Sequence, residues 1–285
     1  MMWPHAVPPV DYVVVGHLSL DKMPDGSTRL GGTAAYAALT AQRLGLRVGV
    51  VTALRGPADL AHLDAPNLFV TGVETPVLTT FALEETPSGR RVRVLQVGPR
   101  LYAHHVPPAW RSAAIAHLAP VAQEVEPTVA QVFRRGLLAL TPQGWLREWD
   151  ADGWVRPGAW PEAAYLLPRA GAVVLSDEDL GHDEARIPEL ARQTPLLVVT
   201  RGASGADLYW QGQVYHHDAP AVPVVDPTGA GDIFAAVFFV RLYQTRDPLD
   251  ALARATYLAA QSVTRPGLEG VPTTEDIAAA LSVPL

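Results

Sequence analysis

Residues 224–239 read VVDPTGAGDIFAAVFF: a short apolar run, a glycine-rich turn and a long apolar stretch. From Asp232 onward the apolar residues recur at helical spacing, so the pattern predicts a buried helix that begins at the turn. The amides of a first helical turn lack partners within the helix, and glycines let a ligand approach them closely. The helix dipole favours an anion there. The stretch therefore predicts a phosphate-binding turn after a strand over 221–225, where ligands bind in open α/β sheets.

Two carboxylates flank this turn. The amides of Gly229, Ala230 and Gly231 could hold a phosphoryl group, and a carboxylate at Asp232 would repel a ligand that was merely bound. Asp232 makes sense as a general base that takes a proton from an attacking hydroxyl. Asp226 could orient a magnesium-bound water or hold the turn. Simpler interpretations stay open: Asp232 could only offset the helix dipole, and Asp226 could be an ordinary cap.

Composition limits the class of protein. The chain has 285 residues, 48% of them hydrophobic, which is enough for one large α/β domain over 1–285. It has no cysteine, which excludes disulfides and thiolate metal sites. The net charge of −7 and the lack of a basic stripe argue against nucleic-acid binding. Neither a membrane-spanning run nor a secretory signal is recognisable, so we expect a cytoplasmic protein with no membrane partner.

The order of patterns along the chain predicts a mostly parallel sheet covered by helices. Strands are predicted at 11–16, 47–54, 114–119, 137–141, 172–176 and 195–200, with helices at 31–45 and after Asp247-Pro248. Two segments, 21–30 and 77–97, interrupt this rhythm. The second alternates polar and apolar residues around a turn near Pro87–Gly89 and predicts a half-exposed hairpin. We expect these segments to form a lid, with a plain sheet extension as the alternative; a further hairpin at 145–155 is expected to be structural.

Other phosphate and metal motifs are absent from the sequence. It contains no GxxxxGK[ST], no GxGxxG after the first strand and none of the HRD and DFG elements of protein kinases. It also lacks HExxH, and its histidine pairs are adjacent rather than on one helix face. A metal would therefore arrive with the nucleotide.

Four stretches together resemble signatures of the ribokinase-like (PfkB) family of carbohydrate kinases, in that family's order. They are GGTAAYAA (31–38), VTRGASGADLY (199–209), DPTGAGD (226–232) and TRPGLEGVPT (264–273). The resemblance covers essentially the whole chain. It implies a three-layer α/β/α ribokinase-like fold with a mostly parallel central sheet and a small β lid, which the segments 21–30 and 77–97 would form.

The resemblance also implies roles for individual residues. Asp232 resembles the catalytic base, with Gly229, Ala230 and Gly231 as the anion hole. The substrate-side residues would be Asp21, Gly31, Gly32, Tyr36 and Gln143. The nucleotide-side residues would be Thr200, Gly202, Gly205, Asp226, Thr228 and Gly267. Asp21 and the two glycines have alternative explanations in turn formation and helix entry.

The chain departs from the family pattern at several positions. Tyr36 stands where an asparagine is common, so a polar substrate contact is missing or replaced by a phenol. Ser176 and Asp179 stand in for the asparagine and glutamate that organise magnesium through water. LTPQGWLR (140–147) replaces an Asp-x-Asn pattern of many sugar-acid kinases, which places Gln143 and Arg147 on the substrate side. These changes leave the substrate open and do not touch the catalytic turn.

The leading hypothesis is an ATP-dependent kinase acting on a hydroxyl of a sugar, cyclitol or nucleoside. Its expected cofactors are ATP and Mg²⁺, with a monovalent cation and a homodimer through the lid as open additions. Arg90, Arg91 and Arg93 could offset phosphate charge or simply form a solvated basic strand. The alternatives are a vitamin-precursor kinase acting on a hydroxymethyl heterocycle and a non-catalytic relative that binds a ligand and closes its lid.

Overall fold

A nine-stranded sheet forms the centre of the computed structural model, which describes residues 7–86 and 89–282. From one edge to the other the strands are β15 (Gln213–His217), β14 (Ala206–Trp210), β13 (Leu196–Thr200), β12 (Ala172–Ser176), β9 (Leu137–Leu140), β8 (Ile115–Leu118), β1 (Tyr12–Val15), β4 (Val48–Leu54) and β5 (Leu68–Glu74). The strands from β13 to β5 are parallel, and β14 and β15 add an antiparallel edge. The predicted, mostly parallel sheet is confirmed.

Helices cover both faces of this sheet. One face carries α1 (Thr33–Arg43), α4 (Ala230–Thr245), α5 (Pro248–Ser262) and α6 (Thr274–Ala280), and the other carries α2 (Ala163–Leu166) and α3 (Ile187–Gln193). Alternate residues of a strand point to opposite faces, so Val14 lies in the first core and Val13 in the second. Burial on both faces explains the nearly continuous apolar strands. The three-layer α/β/α architecture is therefore confirmed.

Local signals place the two longest helices. Gly229 starts α4, and its residues from Ile233 to Val240 are almost fully buried, as the apolar pattern predicts. Asp247 caps α5 by accepting the amides of Leu249 and Asp250 at 2.9 and 3.2 Å. Within the described part of the chain, no helix combines the length and apolarity needed to cross a membrane.

A second, smaller sheet stands apart from the main one. It consists of β2 (Ser19–Lys22), β3 (Thr28–Gly31), β6 (Thr79–Thr86) and β7 (Gly89–Gln96), in the order β3-β2-β6-β7. The predicted hairpin over 77–97 is present as β6 and β7, although residues 87 and 88 of its predicted turn lie outside the described residues. This small sheet contains both segments that the sequence assigns to a lid. Its closing over a ligand stays a prediction.

The hairpin expected at 145–155 is present as β10 (Arg147–Trp149) and β11 (Val155–Pro157). The strand predicted over 221–225 is wrong, because the described backbone forms no ladder there. Pro223 has no amide hydrogen to donate to a ladder. Val224 and Val225 are 65% and 63% exposed, and the amide of Val225 donates to the carbonyl of Val263 at 2.7 Å instead.

Candidate active site

The glycine-rich turn lies at the N-terminus of α4. Gly229 adopts a left-handed φ of 82°, and a Cβ there would come within 2.3 Å of the Tyr36 ring, so only glycine fits. A Cβ on Gly231 would meet no atom within 4 Å, which leaves open space in front of the first helical turn. Among the described side chains none caps α4. The amide of Ala230 donates to the carbonyl oxygen of Pro227 at 3.3 Å. Binding of a phosphoryl group by the amides of Gly229, Ala230 and Gly231 stays a prediction, which the helix N-terminus favours.

Asp226 ties this turn to two other segments. Its Oδ1 accepts the amide of Thr228 at 2.9 Å, and its Oδ2 accepts the amide of Gly267 at 3.1 Å. Oδ2 also accepts Nη1 of Arg29, on β3, at 3.2 Å. The carboxylate therefore holds the turn, one of the two roles expected of it, and it brings Thr228 and Gly267 together. Nothing in the spacing of the sequence pointed to Arg29.

Asp232 is partly exposed in the first turn of α4. Burial raises the pKa of its carboxyl from 3.8 to about 6, while a hydrogen bond from the Thr33 side chain and the charge of Arg147 act in the opposite direction. Such a group is ionised at neutral pH and is still basic enough to take a proton. Thr33 is the first residue of α1, and its spacing from Asp232 in sequence gave no hint of this contact.

Arg147 stands in the middle of the carboxylates. Burial lowers the pKa of this half-buried guanidinium, whereas the negative charges of Asp179, Asp232 and Asp21 raise it, in that order. Its Nη1 donates to the carbonyl of Val121 at 3.0 Å, which fixes its position. Three carboxylates from distant parts of the sequence thus share the field of one cation, which reduces their mutual repulsion.

The predicted substrate-side glycines make room for Asp21. A Cβ on Gly31 would lie 2.3 Å from Oδ2 of Asp21, so the carboxylate rests directly against this backbone. Ser19 donates to the other oxygen, Oδ1, at 3.0 Å. Gly32 caps α1 with a φ of 89°, and a Cβ there would come within 2.5 Å of the carbonyl oxygen of His17. The two glycines therefore serve helix entry and carboxylate placement together.

Ser176 and Asp179 form a tight turn after β12. Asp179 accepts the amide of Ser176 at 2.9 Å and a hydrogen bond from the Gln143 side chain. The hydroxyl of Ser176 accepts the amide of Glu178 at 3.0 Å. Burial raises the pKa of the Asp179 carboxyl. The structure thus joins the predicted magnesium-side carboxylate to the predicted substrate-side Gln143.

Tyr36 requires a correction. The sequence placed its phenol on the substrate side, but the side chain is only 2% exposed and its ring packs under Gly229. Burial raises the pKa of its hydroxyl, and the charges of Asp232, Asp21 and Asp226 add to this effect. Tyr36 therefore supports the anion turn, because a large ring fills the space that the glycine leaves.

Three of the predicted nucleotide-side residues, Thr200, Gly202 and Gly205, lie at or just after the end of β13. Thr200 pairs in register with Ser176, so it stands beside the turn that holds Asp179. Gly202 has a φ of 54° and open space in the Cβ direction. Gly205 has a φ of 92°, and a Cβ there would lie 2.0 Å from a backbone carbonyl oxygen. Gly205 is required by the backbone, whatever it binds, whereas His182 and Gln211 adopt a φ close to that of Gly202.

Two arginines of β7, Arg91 and Arg93, contact an aromatic ring and not the anion turn. Arg91 and Arg93 lie over the ring of Trp154, at 4.1 and 5.6 Å from its centroid. They are engaged with the β10–β11 hairpin, which favours the structural interpretation of this basic strand. The side chain of Arg90 lies outside the described residues.

A magnesium ion at this site would need phosphate oxygens of a bound ligand in addition to protein side chains. Within residues 7–86 and 89–282, no three His, Cys, Asp or Glu side chains are arranged to hold a metal. Mg²⁺ is commonly held by one or two carboxylates together with phosphate oxygens and waters. Asp179, which shares one charged cluster with Asp232 beside the anion turn, fits such a site.

Comparisons with known proteins agree with this geometry. The family described as "pfkB family carbohydrate kinase" matches residues 166–274. A fructokinase of Escherichia coli is 28% identical over 262 residues, which cover 81% of this chain and 84% of the relative.

Two solved structures share the fold. One is a pyrophosphate-dependent kinase of the ribokinase family with a pyrophosphate analog and myo-inositol, at a TM-score of 0.77 and 19% identity over 91% of this chain and 98% of that one. Another is Arabidopsis thaliana ribokinase with ribose and ATP, at a TM-score of 0.73 and 19% identity. That comparison covers 97% of this chain and 99% of the other. A fructokinase of Salmonella thompson is 30% identical over 162 residues, which cover 51% of this chain and 72% of the relative. Together with the family match over residues 166–274, this relative shows that the chain belongs to the pfkB family of carbohydrate kinases.

Proposed function

We propose that this carbohydrate kinase transfers the γ-phosphoryl group of ATP to a hydroxyl of a small polyol, with Asp232 as the general base. The observation that carries the proposal is the position of Asp232. Its carboxylate, with a pKa of about 6, follows immediately after Gly231, where a Cβ would meet no atom within 4 Å. An acceptor of protons next to an anion site is what phosphoryl transfer to an alcohol requires.

The acceptor would lie between Asp21 and Asp232. Asp21 is held by Ser19 and the Gly31 backbone, so it can accept hydrogen bonds from substrate hydroxyls in a fixed direction. The positive charge of Arg147 acts against the burial that raises the pKa of Asp232, and Arg147 also interacts with Asp21. A cluster rich in carboxylates suits a neutral polyol with several hydroxyl donors and favours it over an aromatic hydroxymethyl heterocycle.

The transfer step follows from these positions. Asp232 takes the proton of the attacking hydroxyl as that oxygen forms a bond to the γ-phosphorus, while the bond from phosphorus to the bridging oxygen breaks and ADP leaves with the electron pair. The amides at Gly229 and Gly231 stabilise the charge on the transferred group, and Tyr36 keeps their backbone in place. Thr33 fixes the direction of the Asp232 carboxylate.

Thr200, Gly202, Gly205 and Gly267 would border the nucleotide. Asp179 and Ser176 would hold Mg²⁺ through its waters, and the ion, when bound, supplies neutralisation of phosphate charge. The monovalent cation, the homodimer through the small sheet and the cytoplasmic location stay predictions.

The test is phosphoryl transfer by the purified protein with Mg–ATP, and separately with pyrophosphate, against fructose, ribose, myo-inositol, cytidine and a hydroxymethyl heterocycle. We expect turnover of at least one polyol with ATP and a loss of about 10²–10⁴-fold in kcat for Asp232→Asn. Asp64→Asn, at an exposed position, is the matched control and should keep full activity.

Different outcomes separate the alternatives. Calorimetric binding of a polyol without any product would support the non-catalytic ligand binder. Turnover of the heterocycle alone would support the vitamin-precursor kinase, and turnover with pyrophosphate alone would overturn ATP as the donor. Full activity in Asp232→Asn would refute the role of the base.

A further inference from the structure

The first two strands of the small sheet carry an acidic and a basic residue opposite one another. In the antiparallel pair β2–β3, Asp21 is the direct partner of Arg29. Side chains of directly opposed residues emerge on the same face of a sheet, about 5 Å apart at Cβ. Arg29 therefore faces the same space as Asp21, the carboxylate proposed to bind substrate.

The guanidinium of Arg29 extends from that face to the anion turn. Its Nη1 lies 3.2 Å from Oδ2 of Asp226, whose Oδ1 accepts the amide of Thr228 at 2.9 Å. This ion pair joins residues 197 positions apart and links the small sheet to the main domain. Burial raises the pKa of the Tyr36 hydroxyl, whose ring packs beside Gly229, and the positive charge of Arg29 acts in the opposite direction. The cation is thus adjacent to the amides that would hold a phosphoryl group.

Arg29 can leave Asp226 and bind another anion at little cost in stability. The Arg29 side chain is 44% exposed, and an ion pair with one partner this exposed contributes little to stability. Asp226 keeps the amides of Thr228 and Gly267 when the guanidinium leaves, so it is not left as an unpaired buried charge. A phosphoryl group offers two or three charged oxygens in its place, and guanidinium binds such oxygens in pairs.

The other cation of the site is less suited to this task. Arg147 is anchored on the carbonyl of Val121 and interacts most strongly with Asp179. It serves the carboxylates of the acceptor side. Arg29 reaches the turn itself through Asp226.

We propose that Arg29 is a further catalytic residue, whose guanidinium moves from Asp226 to the oxygens of the transferred phosphoryl group. This inference rests on the proposed kinase function. Because Arg29 belongs to the small sheet, its transfer to the phosphoryl group also couples the position of that sheet to the presence of the donor. Asp21 then binds the acceptor and Arg29 binds the phosphoryl group, so that the pairing of β2 with β3 positions both reactants.

The experiment compares Arg29→Gln and Arg29→Lys with wild type in steady-state kinetics, once an acceptor is known. We expect Arg29→Gln to lower kcat about 10²–10³-fold, with the acceptor KM changed less than about threefold. Arg29→Lys should recover part of kcat, since it keeps the charge but loses the paired geometry. Arg91→Gln is the matched control: it removes the same charge from the same sheet, but its guanidinium lies over Trp154.

A merely structural role predicts another pattern. If Arg29 only supported Asp226, Arg29→Gln and Asp226→Asn would reduce kcat equally, the double variant would be no worse, and Arg29→Lys would give no rescue. That pattern would overturn the proposal. So would a kcat of Arg29→Gln within threefold of wild type.

The proposed function can fail separately. If wild type turns over no acceptor, thermal shift with Mg–ATP and with pyrophosphate still decides the role of Arg29 in binding phosphate. A ligand-induced rise in Tm that is lost in Arg29→Gln and kept in Arg91→Gln supports the contact. A rise that is equal in all three proteins, or no rise in wild type with either ligand, overturns it.

Discussion

Replacing the proposed base, Asp232→Asn, should stabilise the protein while it removes activity. Raising a carboxyl pKa from 3.8 to about 6 corresponds to about 3 kcal/mol of disfavoured ionisation in the folded state. The side chain is partly exposed, so water screens part of this effect. We therefore expect the asparagine variant to gain about 1–2 kcal/mol in free energy of unfolding at pH 8, or about 2–6 °C in Tm.

The sign of the effect depends on pH. The folded state favours the protonated carboxyl, so the stability that this form contributes is fully present below pH 3.8 and is lost as the pH rises through about 6. Asparagine is neutral throughout and can still accept a hydrogen bond from Thr33. The variant and wild type should therefore differ little near pH 4 and most above pH 7.

Urea unfolding of both proteins at pH 4.5 and pH 8 measures this difference. Asp59→Asn is the control with the opposite sign, because hydrogen bonds from Arg55 hold the pKa of the Asp59 carboxyl below its ordinary value against the effect of burial. That variant should lose stability at pH 8. The reasoning is refuted if Asp232→Asn is less stable than wild type at pH 8, or if its advantage does not change with pH.

Three further predictions concern activity. The kcat should fall as the pH drops below an apparent pKa of about 6. In Arg147→Met this fall should occur at higher pH, because the guanidinium lowers the pKa of Asp232. An unchanged pH profile would contradict the coupling between Arg147 and Asp232. Gly229→Ala should lose at least about 10²-fold in kcat and about 1–3 kcal/mol of stability, since its φ is positive and the new Cβ meets Tyr36. Gly212→Ala, with a φ of 75° and open space, tests strain alone and should keep its kcat. Chelation of magnesium by EDTA should abolish turnover and leave Tm unchanged, and added Mg²⁺ should restore the rate; activity in EDTA would contradict the metal requirement.

Local sequence signals were sufficient for much of the fold. Gly229 and Gly231 and the Asp247-Pro248 pair mark helix starts by backbone chemistry that acts within a few residues. The apolar runs predicted buried parallel strands because both sheet faces are covered. The error at 221–225 has a physical cause: apolar valines suggest a strand, but Pro223 removes a ladder donor and no neighbouring strand pairs with the segment.

Local sequence signals predicted only part of the candidate site. Asp21, Asp179 and Asp232 could be selected from their motifs, and the departure at 140–147 put Arg147 on the substrate side. Nothing in the sequence showed that Arg147 lies among all three carboxylates, or that Thr33 bonds to Asp232. Tyr36 was assigned to the substrate because it replaces an asparagine of the family pattern. Only its packing under Gly229 revealed a supporting role, since burial depends on the surroundings and not on the motif.

The sequence by itself determined the turn, the helix that follows it and the carboxylate at its start, because glycine conformation, helix dipole and apolar periodicity are properties of neighbouring residues. The tertiary structure decided how basic that carboxylate is and which cation reaches the turn. The pKa of Asp232 follows from burial and from charges on other elements, and Arg29 reaches Asp226 across 197 positions of sequence through the pairing of β2 with β3. Both depend on distances between segments, and those distances exist only in the folded chain.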